Sequence, residues 1–159
     1  MMEKPIEMQE LGFVTRAVAF FEAALCVEKH LSRPGHPMTP LASHTGAYYL
    51  AGHSLELLLK AFLLDNGMTD QVLRSREVGH DLEACFKLAL DHGLEDLAPL
   101  SDEDKELISI LNREYSDKAF EYYKGARVTQ VPRFSAVEGL MRKLFPPICK
   151  HVGARQPSF

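Results

Sequence analysis

Residues 51–60 read AGHSLELLLK, and no other stretch limits the possible folds of this chain so tightly. They lie in a segment from about Pro40 to Asn66 that is predicted as one helix, closed by Asn66-Gly67, a pair typical of helix C-termini. At 100° per residue, Tyr49, His53, Glu56 and Lys60 fall within about 60° of one another. The other faces of the segment are mostly Ala, Leu, Phe or Tyr. A helix that is apolar nearly all round has to be covered nearly all round. The rest of the chain must therefore supply enough helical surface to enclose it.

It does. Residues 8–32 carry Phe13, Val14, Ala17, Val18, Phe21, Ala24, Leu25 and Val27 at steps of three and four, and the pattern stops at RPGHP, residues 33–37. A loop is predicted over residues 67–79. HDLEACFKLALDHG then keeps Leu82, Cys85, Phe86, Ala89 and Leu90 on one side and Glu83, Lys87 and Asp91 on the other, until Gly93. Ser101 and Asp104 resemble a capping box and open a fourth helix that reads through to Tyr122-Tyr123, with Lys124-Gly125 as its end. Ser135 and Glu138 form a second such box before a last helix, which Pro146-Pro147 should kink or stop. No sustained alternation of β-branched residues occurs, so strands are not predicted. The expectation is all-α: an up-and-down bundle of four to five helices, one domain over residues 1–159.

Charge and cysteine usage narrow the setting. Residues 113–155 hold nine Lys/Arg against four acids, which suits phosphate contact or simply a solvated helix face. Cys26, Cys85 and Cys149 are far apart and odd in number, so they read as small buried hydrophobes in a reducing compartment. The opening MMEKPIEMQE lacks a signal-peptide pattern and no long stretch is free of charge, so the expectation is a cytoplasmic protein with no membrane contact. No Gly-rich phosphate cradle, Ser/His/Asp set or zinc spacing is present, so no cofactor is predicted.

The polar lane admits two readings. Glu56 and Lys60, at i,i+4 with the acid first, can form a solvated ion pair. Alternatively the lane turns toward a neighbouring helix or a second subunit, where buried charge must be paired. His53 and Glu56 also have a spacing used by carboxylate-bridged metals, but no ExxH motif supplies the partners such a site takes from other helices, and no metal is predicted.

The strings YYLAGHSLELLLKAFLLDNG, GHDLEACFKLALDHGL and EYYKGARVTQVP together resemble the HEPN superfamily (higher eukaryote and prokaryote nucleotide-binding domains) over residues 40–145. The resemblance rests on Ser54, Glu56 and Lys60 as an S-x-E-x-x-x-K helix, on the Gly79-His80-Asp81-Leu82 helix start, and on the Tyr-rich end of the fourth helix. It implies a HEPN-like bundle that forms a homodimer. It also implies a nucleotide or RNA ligand, or a nucleotidyltransferase partner as in toxin–antitoxin pairs. Active members are metal-independent RNases with Arg, four to six residues, then His. Arg74 and His80 fit that spacing, the histidine as general acid or base and the guanidinium as stabiliser of phosphorane-like charge. His80 and Asp81 also read, and more simply, as caps of the third helix. A binding surface is expected where the His53, Glu56 and Lys60 lane meets Tyr123 and Arg127, because aromatics beside cations stack bases and hold phosphates. The same tyrosines also serve as ordinary bundle contacts. A purely structural protein–protein module is the third reading.

Overall fold

The computed structural model describes residues 9–36, 44–125 and 130–159. Among them are α1 (Gln9–Leu31), α2 (Thr45–Asp65), α3 (Asp70–Leu73), α4 (Leu82–Asp91), α5 (Leu94–Leu97), α6 (Asp102–Ser116) and α7 (Phe134–His151), with no strand. The described residues form an all-α bundle of five long helices, and α3 and α5 are single turns. α3 falls inside the stretch read as loop, its first turn capped by the Thr69 hydroxyl accepting from Val72 N–H at 3.3 Å. None of the described helices is long and apolar enough to cross a membrane.

The apolar helix α2 is the axis. It packs on α1, α4, α6 and α7, and every residue from Ala51 to Leu64 except His53 is buried. α1 lies along it, where Ser54 Oγ donates to Ala17 O at 2.5 Å and so satisfies the one buried hydroxyl of that face. α7 closes the core with Leu140, Met141, Leu144, Phe145, Ile148 and Cys149.

Helix ends depart from the sequence reading in three places. The Ser101–Asp104 capping box forms in both directions. The helix it opens, however, stops at Ser116 rather than at Lys124. Lys118 turns left-handed (φ 58°), and its N–H reaches Tyr115 O at 3.0 Å while Ala119 N–H reaches Glu114 O at 2.9 Å, a Schellman closure. The second capping box does not form. Phe134 is buried against Tyr48 and is itself the first helical residue, and Glu138 turns to Arg142 Nε at 2.9 Å. Pro146 and Pro147 do not break α7. Their missing N–H groups deprive the carbonyls of Arg142 and Lys143, both exposed residues, of their i+4 donors. The fully buried Leu144, Phe145, Ile148 and Cys149 hold the turn in place; at about 1.5–3 kcal/mol for each large side chain, their burial offsets a cost of about 3 kcal/mol for each of the two prolines.

After α7 the chain turns back at Gly153 (φ 72°) and lays Phe159 edge-on against Phe21 and Phe145, at 4.8 and 4.9 Å between centroids. Of the cysteines, Cys85 and Cys149 are buried as expected, but Cys26 is exposed.

Candidate functional site

Glu56 sits in the middle of α2 with its side chain only 2% exposed. An ion so placed needs partners, and three elements converge to provide them. One turn on, Lys60 Nζ donates to Glu56 Oε1 at 2.6 Å and to Gly79 O at 2.8 Å, tying α2 to the turn before α4. From α6, the Tyr115 hydroxyl donates to Glu56 Oε2 at 2.5 Å. From the same turn as Gly79, His80 Nδ1 lies 3.1 Å from Oε2. His53 Nδ1 is 3.7 Å from Oε2 and 3.2 Å from the Tyr115 oxygen. The polar lane therefore faces inward.

Burial alone would raise the Glu56 carboxyl. Hydrogen bonding from the imidazole side, the Lys60 charge and the Lys60 and Tyr115 donors overcome it and pull the group down to about 2. Burial, together with the charge of Glu56, pushes the Tyr115 phenol well above its usual range. Glu56 is thus a permanent anion and Tyr115 a permanent donor at neutral pH. Glu56 and Lys60 are consumed by each other, by Tyr115 and by the turn, which leaves them holding the bundle together from inside. The His53–Glu56 spacing is spent the same way, and among the described residues no group of three or more His, Cys, Asp or Glu is placed to hold a metal.

Two residues not singled out by sequence make the cluster feasible. A Cβ on Gly52 would stand 2.6 Å from Tyr115 Cδ2, so only glycine lets the ring lie across α2 and reach Glu56. A glycine within so apolar a helix is itself a sign of close approach. Asn112, on α6, accepts from Leu82 N–H at 2.8 Å and donates to Asp81 Oδ1 at 3.0 Å, while Asp81 caps α4 through Ala84 N–H at 3.0 Å. Of the two residues read as caps only Asp81 serves as one, helped by Asn112 from α6; His80 turns away to Glu56.

His80 stays 62% exposed although its Nδ1 is engaged. Arg74 ends α3 with its side chain in solvent and its Nε 2.7 Å from Asp70 Oδ2. The described contacts thus give Arg74 to Asp70 and His80 to Glu56. Tyr122 and Tyr123 are 59% and 88% exposed, on the irregular stretch that follows the Schellman closure, with Lys124 exposed beside them. Arg127 lies outside the described residues. Tyr49, stacked on His53 with centroids 6.0 Å apart and planes 4° apart, is raised by burial and by the nearby Glu121, Glu56 and Tyr122. The exposed tyrosine stretch and the His53 end of the lane are thus neighbours.

Set against family models, curated proteins and solved structures, the chain matches none of them.

Proposed function

We propose that this chain is a HEPN-like binding module for nucleotides or single-stranded nucleic acid. The observation that carries this reading is the pair Tyr122 and Tyr123, the only strongly exposed Phe or Tyr side chains among the described residues, next to the cation of Lys124. Aromatic faces in solvent beside a positive charge suit stacked bases and their phosphates, at about 1–3 kcal/mol per stacked base. Titration of a short labelled RNA by fluorescence anisotropy tests it. Tyr123→Ala should weaken binding about tenfold, and wild-type protein that leaves the anisotropy unchanged rejects the reading.

One observation favours a second reading, a metal-independent RNase. An exposed imidazole whose Nδ1 is held by a buried carboxylate is oriented as a general base or acid needs to be. Arg74 would then have to leave Asp70 to stabilise charge on the phosphate. Cleavage of labelled RNA in EDTA that disappears in His80→Ala supports it; cleavage unchanged in that variant excludes His80.

A further inference from the structure

The stretch after α7 sits in the bundle as a plug sits in a socket. Phe21 of α1 and Phe145 of α7 are fully buried and stack with centroids 5.6 Å apart, and Phe159 lies edge-on against both rings. The Arg142 guanidinium stands over the Phe159 ring, 5.7 Å from its centroid. Phe159 itself stays partly exposed, so this aromatic seat opens to the surface. Between the turn at Gly153 and the ring, the strap is fastened lightly. Ala154 N–H donates to Cys149 O at 2.8 Å, at the turn itself, and Gln156 Nε2 donates to Pro146 O at 2.9 Å. Toward α1 the strap stands off. A cleft of about 530 Å³ separates residues 153–158 from Leu11, Val14, Val18 and Glu22.

One backbone angle directs the strap to its own seat. Gly153 is left-handed (φ 72°), which glycine adopts freely and a β-branched residue does not. With that angle extended, the six residues beyond it reach about 20 Å from the end of α7. The contacts that receive Phe159 are the same whichever copy of the chain supplies the ring. We propose that the seat formed by Phe21, Phe145 and Arg142 is a docking site for residues 153–159 of a second copy of this chain. Reciprocal exchange of the strap gives a two-fold dimer in which the partner's Phe159 fills each seat. The turn at Gly153 holds the seat filled by the chain's own strap, whose tether makes it locally equivalent to about millimolar peptide. The exchange uses none of the residues of the binding reading above.

Two measurements test it. A labelled peptide of residues 153–159, GARQPSF, is titrated into wild type and into Phe159→Ala, whose seat is vacant. The variant should bind it about tenfold tighter than wild type, where the resident ring competes, and the same peptide with alanine in place of its phenylalanine should not bind. Equal affinity for the two proteins, no binding to Phe159→Ala, or retained binding of the alanine peptide overturns the proposal. Light scattering then tests the exchange in the intact chain. Gly153→Val, which cannot hold the turn, should show twice the mass of the double variant Gly153→Val, Phe159→Ala at the same concentration. Equal masses for these two variants overturn the exchange whatever the peptide does.

Discussion

Glu56 concentrates the electrostatics of the molecule in one residue. Its carboxyl falls from an ordinary 4.5 to about 2 on folding, so the folded state holds the proton more weakly than the unfolded chain does. The stability this contributes is complete above the unfolded value and is lost as pH falls from about 5 toward 2, a contribution of about 3 kcal/mol in all. Urea titrations over that range should show the steep acid loss in wild type and a flatter profile in Glu56→Gln. Gly52 is the steric counterpart. Gly52→Ala puts a methyl into the Tyr115 ring and should lower stability by about 1–3 kcal/mol, measurable as a drop in Tm. The lane itself was legible from residue spacing, since Tyr49, His53, Glu56 and Lys60 do share one side of α2. Its direction was not, because periodicity places side chains around an axis and says nothing of what stands opposite.

Among the elements, starts and ends behaved differently. Ser101–Asp104 and Asp81 are read correctly from sequence because an N-cap is a local bond between a side chain and backbone a few residues away. The end of α6 was misread because a lysine, not a glycine, occupies the left-handed position, and the nearest glycine is Gly125. A non-glycine residue at φ 58° is strained, so Lys118→Gly should stabilise the protein by about 0.5–1 kcal/mol in urea titration, without altering the helical signal in circular dichroism. α7 shows the converse. Its capping box and its prolines are local signals overruled by the burial of Phe134, Phe145 and Ile148, which depends on residues far away in the chain.

For the molecule as a whole, the stretch after α7 ties the last helix to the first. Phe159 touches Phe21 of α1 and Phe145 of α7 while Gln156 Nε2 donates to Pro146 O at 2.9 Å. Phe159→Ala should cost about 2 kcal/mol, roughly half the value for a fully buried phenylalanine, and lower Tm by about 4–8 °C in calorimetry. What the amino-acid order determined unaided is the all-α architecture and the central place of α2: apolar side chains repeated at helical period must be covered, and only other helices were available to cover them. What the tertiary structure decided is how the polar groups pair. Tyr115 and His80 reach Glu56 from 59 and 24 residues away, and the Gly79 carbonyl meets Lys60 from 19 residues away. Contacts across such separations are set by how packed helices cross, a property of the assembled core that no local pattern of residues carries.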